Sequence, residues 1–346
     1  MTASDMVDWD LAIKIGSRVA GEGPTVSRQE AADVVAELRD GAARSTSLVG
    51  DFTGLHAPAG TAPVLVVDRP GWITANVEAF GRITEPLMRK MEDRRGPATG
   101  MTKAVGSRVT AMEVGGLLGF LGGKVLGQFD PFAEPHGRLL LVAPNIVNVE
   151  RELEVDPSDF RLWVCLHEET HRVQFTAVPW MRDHLHGEVA ALADAVDVDP
   201  SELVSTILER AGDLLRGNSD VSLVDLFAGP EQRAVIDRVT GVMSLLEGHA
   251  DVVMDEAGPE VIGSLREIRR KFNRRRKGVG MLDKVLRRLL GIDQKMAQYR
   301  NGASFVTGVV DKVGFDGFNA VWAEPANLPS KDEIGDPDAW VRRVHG

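Results

Sequence analysis

Residues 156–175 read DPSDFRLWVCLHEETHRVQF, and this stretch decides the fold. Asp156 is placed to cap a helix, Pro157 suits its first position, and Asp159 favours the positive helix end. From there Phe160, Leu162, Trp163, Val164, Leu166, Val173 and Phe175 predict a largely apolar helix that Pro179 ends. Within it, His167, Glu168, Glu169, Thr170 and His171 spell HExxH. Residues four apart share a helix face, so the two imidazoles can bind one zinc ion while Glu168 borders the open coordination position. Two histidines and a glutamate on a buried helix are costly without a shared partner, and a metal supplies one.

A catalytic zinc takes three protein ligands, so one more is required. A third histidine six residues beyond His171 would fall at Ala177, and Gln174 stands where that subclass needs glycine, which excludes it. The other solution is a glutamate on a later helix, with an aspartate four residues on to orient a ligand histidine. Two pairs have that spacing. Glu209 and Asp213 lie away from the apolar face formed by Leu203, Ile207, Ala211 and Leu214, whereas Met243, Glu247, Asp251 and Met254 form one stripe within VMSLLEGHADVVMD. Glu247 is therefore the expected ligand and Asp251 the orienting carboxylate. His249 is the alternative metal ligand, projecting about 200° around the helix from Glu247, so the two do not serve one ion together. His184 and His186, after Pro179, read as surface histidines of a polar loop. With zinc lowering the pKa of a water towards about 7, Glu168 would act as general base, and Tyr299, the single tyrosine, would donate to the developing oxyanion. Cys165 points away from His167 and reads as core.

The chain has 346 residues, 43% of them hydrophobic, enough for a sizeable core in a soluble protein. One cysteine excludes an internal disulfide framework, and the opening MTASDMVDWD lacks a basic and then apolar leader, so a cytoplasmic location is expected. A net charge of −11 argues against nucleic acid or an anionic membrane as a general partner. The exception is local: eight basic residues and one acid between Arg266 and Lys277, read first as a solvated helix end or a mobile loop and otherwise as an anion or nucleic-acid contact.

The architecture expected is α+β, mainly helical with a small sheet. Ser27 and Glu30 open one helix, another follows Pro70, and Val64–Val67 and Leu139–Val142 are strands. The second strand is placed, as a hypothesis, at the border of the metal cleft, where it would pair with an extended substrate. The apolar run Val114–Gly123 is too short to cross a bilayer, and Gly115, Gly119, Gly123 and Gly127, every fourth residue, predict a groove where another backbone approaches. Asp199 and Pro200 open a helix, others are expected near 231–256, 281–290 and 293–312, and a proline-containing tail wraps the body before a last turn at Trp340. Two lobes are expected, a mostly helical one over 1–137 and a catalytic one over 138–346, joined in one compact unit.

Through LHEETHRVQF with PWMRDHL, LLEGHADVVMD, QKMAQYRNGASFV and NAVWAEPANLPSKDEI, the chain resembles the type 2 group of zincin-like metallopeptidases, found mainly in actinobacteria. The resemblance spans most of the chain and implies a zincin-like core and hydrolase activity. Some members are labelled as associated with biosynthesis of a deazaflavin coenzyme. It leaves open whether Glu247 or His249 is the third ligand. The leading function is thus a zinc metallopeptidase acting on a peptide. The alternatives are a zinc protein that hydrolyses a small-molecule amide or has lost turnover, and a nucleic-acid-linked regulator using Arg266–Lys277.

Overall fold

The computed structural model describes residues 7–95, 100–195, 230–277 and 292–346. They fall into two compact units. One comprises residues 1–182 and 253–268, the other 183–252 and 269–346. The boundary expected at 137/138 is replaced for a plain reason: the strands on either side of it pair with each other.

The first unit is built on a three-stranded sheet. β1 (Val64–Val67) runs parallel to β3 (Arg138–Val142), β2 (Gly127–Asp130) runs antiparallel to it, and the order β1-β3-β2 leaves β2 at an edge. β3 is central and covered on both sides, which is why it reads as the unbroken apolar run LLLV. Leu140 and Val142 join Ala12, Trp72, Ile73 and Ala111 in a core made with α1 (Trp9–Ala20), α3 (Arg69–Arg95) and α4 (Gly100–Gly122). On the opposite face Leu139 packs with Ala62 and Phe129, backed by Phe175.

That opposite face carries α6 (Pro157–Thr176), preceded by α5 (Ala143–Leu153) and packed lengthwise on α2 (Arg28–Thr53). The predicted caps form: Ser27 Oγ accepts the Glu30 N–H at 3.1 Å and Asp156 accepts the Asp159 N–H at 2.9 Å. The helix stops at Thr176, ahead of Pro179. Leu139–Val142, expected to pair with an extended substrate, has no edge to offer, because both are taken; among the described residues the free edges belong to β1 and β2.

The glycine groove of α4 is real but shorter than predicted. A Cβ on Gly115 would lie 2.6 Å from the Ala12 carbonyl oxygen, and one on Gly119 2.6 Å from that of Gly16, so α1 and α4 meet backbone to backbone. Gly127 has no part in this contact, since it lies on β2. Among the described residues no helix is long and apolar enough to cross a membrane.

The second unit is helical. It holds most of α7 (Met181–Ala195), most of α8 (Pro230–Glu256), the greater part of α9 (Leu265–Lys277), α10 (Ile292–Phe318), α11 (Lys331–Ile334) and α12 (Pro337–His345). α8 and α10 approach without side chains between them: a Cβ on Gly248 would lie 2.1 Å from the carbonyl carbon of Gly302. The tail ends in a nine-residue helix instead of a single turn, with Trp340 stacked edge-on to Phe305 and its Nε1 donating to the Asn327 carbonyl at 2.7 Å. The expected helices at Asp199 and near 281–290, and the Glu209 and Asp213 pair, lie outside the described residues.

Candidate metal centre

Most of α6 is buried, and its polar residues divide by face. Glu169, wholly buried, is clamped by Arg172 through Nε at 2.8 and 2.9 Å and through a close Nη2 contact. Thr46 of α2 donates to Glu169 at 2.6 Å, and Arg172 Nη1 reaches the Thr61 carbonyl at 3.0 Å. A buried carboxylate needs such complete pairing; the ion pair lies within α6, and the Thr46 hydrogen bond ties that face of α6 to α2. Cys165 is buried on α6 as predicted, its Sγ 3.5 Å from the Leu38 carbonyl oxygen; burial, reinforced by Glu168 and Glu169, pushes its thiol well up from the ordinary range.

The histidine face is organised around the two imidazoles. His167 Nε2 and His171 Nε2 stand 3.3 Å apart, with the rings nearly perpendicular at 87°. Two nitrogens at zinc-ligand distance from one tetrahedral ion are separated by about 3.3–3.4 Å, so the pair fits such an ion without rearrangement. The outer nitrogens are also engaged. His167 Nδ1 lies 3.1 Å from Met254 Sδ, and His171 Nδ1 lies 3.0 Å from Gln174 Oε1.

Among the described residues Asp251, the expected orienting carboxylate, is engaged by Arg269, whose Nη1 is 3.4 Å from the carboxylate and whose Nη2 donates to the Asp251 carbonyl at 2.8 Å. The competing cation on α9 takes the carboxylate that the ExxxD spacing had assigned to a histidine. Sequence reasoning missed Gln174 and Met254, both neutral. Gln174 was within reach of it, as the i+3 neighbour of His171; Met254 was named on the stripe with Glu247 but given no role.

Glu168, 8% exposed, faces the sheet edge. A Cβ on Gly127 would stand 2.5 Å from Glu168 Cγ, so this bare position on β2 is what leaves room for the side chain. Phe129, two residues along the strand, stacks on Phe175 of α6 with ring centroids 5.2 Å apart and keeps the strand laid against the helix.

Over residues 241–254 α8 is buried on nearly every side, and there Met243, Glu247 and Asp251 form a half-buried line. His249 is wholly buried among Phe315, Phe318 and Trp322, stacked on Phe318 at 5.6 Å. His184 and His186 are half-buried on the helix α7, not in a loop. Tyr299 belongs to the segment of α10 whose side chains lie outside the described residues. Arg266, Arg270 and Arg274 are exposed along α9, so of the helix end or loop expected for the basic run the structure has the helix.

A family model described as zincin-like metallopeptidase matches residues 7–341. A crystal structure from Chloroflexus aurantiacus, described as that of a candidate hydrolase with a novel fold, is 31% identical to this chain, with a TM-score of 0.74 over 98% of this chain and 99% of that one. No curated protein matches.

Proposed function

We propose a zinc-dependent hydrolase that cleaves peptide bonds, on the premise that the chain belongs to the zincin-like metallopeptidase family. The family brings metal-dependent hydrolytic chemistry with it; the peptide substrate and the role of each residue are our reading. The observation that carries this reading is the His167–His171 pair, with its Nε2 atoms 3.3 Å apart and both outer nitrogens engaged.

His167, His171 and Glu247 are the proposed ligands. They are the group of potential ligands offered by the described residues. Helix geometry adds support for Glu247. α8 is one helix from Pro230 to Glu256, and its Met254 touches His167. Seven residues advance about 700°, only about 20° short of two turns, so Glu247 shares the side of α8 that carries Met254.

A zinc ion held by these residues would lower the pKa of a water towards about 7 and polarise a carbonyl. Glu168 would take a proton from the attacking water and deliver it to the departing amine. The free edge of β2 suits an extended peptide, whose backbone would pair with Gly127–Asp130 and present a carbonyl beside Glu168. Tyr299 is retained as the proposed oxyanion donor.

Metal analysis combined with peptide profiling tests the reading. One zinc per chain is expected in the wild type and in Glu168→Gln, with loss in His167→Ala. New peptide termini should form with the wild type and fall by about 10²–10⁴-fold in Glu168→Gln. Absence of stoichiometric zinc, or cleavage undiminished in Glu168→Gln, overturns it.

A further inference from the structure

Among the described residues seven large hydrophobic side chains are exposed, and four of them stand on α4: Val105, Val109, Met112 and Leu117. Val105, Val109 and Met112 are 57%, 46% and 54% exposed, and no atom would lie within 4 Å of a Cβ placed on Gly116. The spacing 105, 109, 112, 116 is the rhythm of a coiled-coil seam. At 100° per residue the four positions fall within about 60° of arc, turned away from Ala111 and Leu118, which join the core. Val19 of α1, also exposed, extends the patch beside Gly119, the next seam position, which α1 covers. A contiguous exposed apolar patch marks a contact surface.

The charges beside the seam say what the contact is. Arg108 and Glu113 lie about 70° to either side of it, so they point apart and do not pair within one helix. Neither takes part in an ion pair among the described residues. In two parallel helices joined along such a seam, a residue flanking it on one side faces the residue five positions on in the other helix. Arg108 then meets Glu113 of the partner subunit, and the two-fold axis repeats the contact with the roles exchanged. In an antiparallel pair each flank faces its own kind, arginine against arginine and glutamate against glutamate. One base and one acid give the face no net charge, which disfavours an anionic lipid surface, since helices that lie on one are rich in Lys and Arg.

We propose that the 105–116 face of α4 is a self-association surface, on which α4 of a second copy of the chain packs in parallel. Gly116 permits close approach, and Arg108 and Glu113 set the direction. The seam is about 18 Å long, at about 1.5 Å per residue, because beyond it Gly119 belongs to α1. An interface of that size gives a micromolar dissociation constant and not a permanent dimer. α4 and α6 cover opposite faces of the sheet, so the surface is independent of the hydrolase reading.

Sedimentation of the full chain from about 1 to about 100 µM tests it, and the wild type should pass from monomer to dimer across that range. Met112→Glu sets like charges face to face in the seam and should raise the dissociation constant about a hundredfold or more. Arg108→Glu alone should raise it about tenfold, and Arg108→Glu combined with Glu113→Arg should return it to within about threefold of wild type. Val105→Cys should give a disulfide-linked dimer under oxidant, because equivalent seam positions adjoin in a parallel pair; the native Cys165 is buried and does not compete. Met112 and Arg108 are exposed, so unfolding midpoints should stay at the wild-type value, and the charge reversals decide the matter should Met112→Glu unfold. A wild type still monomeric at the highest concentration overturns the proposal, as does a dimer indifferent to Met112→Glu. A double reversal no tighter than Arg108→Glu, or Val105→Cys that fails to crosslink, overturns the parallel pairing. A monomer that sediments with phosphatidylcholine vesicles, and no longer does so in Met112→Glu, assigns the face to lipid instead.

Discussion

The two helices assigned to the metal are fixed by opposite means. α6 is held by a polar lock, in which buried Glu169 is paired with Arg172 and tied to Thr46, while Arg172 reaches the Thr61 carbonyl. α8 is held by bare backbone, with Gly248 and Gly302 letting two helices meet with no side chain between them. The ion pair itself lies within α6; its cross-links to Thr46 and to the Thr61 carbonyl are what define the rotation of the helix about its axis, and rotation is what aims two histidines at one point. A glycine contact defines the separation of helix axes, and so how far a carboxylate on α8 extends from the helix behind it. The polar lock is the more fragile device, because each half of it is a buried charge once the other is gone.

The comparison can be broken most severely at Arg172. Arg172→Ala leaves Glu169 buried and unpaired, and a cost of about 3–5 kcal/mol is expected in denaturant unfolding. Arg172→Lys should recover only part of it, since an ammonium cannot reproduce the forked contact. If Arg172→Ala unfolds at the wild-type denaturant concentration, the ion pair is not what secures α6.

Gly248→Ala comes next. Its new methyl would meet main-chain atoms of α10, which have no rotamer to change, so the helices must part; about 1–3 kcal/mol of destabilisation follows. The distinguishing readout is zinc affinity. It should fall with stability in Gly248→Ala because Glu247 is the adjoining residue, and affinity unchanged in a destabilised variant would separate α8 from the metal.

How much of this was legible follows from the same contrast. The helix over 157–176, its Asp156 cap and the paired imidazoles were readable because they are local: caps and i, i+4 spacing need no knowledge of the rest of the chain. The preference for Glu247 over Glu209 also rests on helical periodicity, again a local property, and Glu209 lies outside the described residues. The failures are all long-range. Asp251 pairs with Arg269, eighteen residues on, and spacing within one helix cannot reveal that rival. The unit boundary missed the pairing of β2 with β3, because the short strand GQFD carries no alternation that marks it as one. A free edge was assigned to the strand with the stronger apolar signal, yet strength of that signal marks a strand covered on both faces.

Gly127 shows the limit most clearly, and supplies the change with the smallest expected effect on stability. As every fourth residue after Gly115 it extends a helical pattern, but its place is on β2 against Glu168. In Gly127→Ala the crowded atoms are Glu168 Cγ and Cδ, at 2.5 and 2.6 Å, and these belong to a side chain that can swing aside. An off-rotamer turn costs about 0.5–1.5 kcal/mol, and replacing glycine within a strand returns about 0.5–1 kcal/mol, so net stability should shift by less than about 1 kcal/mol. Zinc content should be untouched, since neither imidazole nor its outer partner is displaced. Hydrolysis, by contrast, should fall by about tenfold to a hundredfold, because a general base moved by about an ångström no longer meets its proton in line. Arg172→Ala and Gly127→Ala therefore separate the two duties of neighbouring glutamates: the first disturbs Glu169 and the fold, the second disturbs Glu168 and the chemistry. A Gly127→Ala protein that hydrolyses peptides at the wild-type rate would show that Glu168 does not act from its position beside β2.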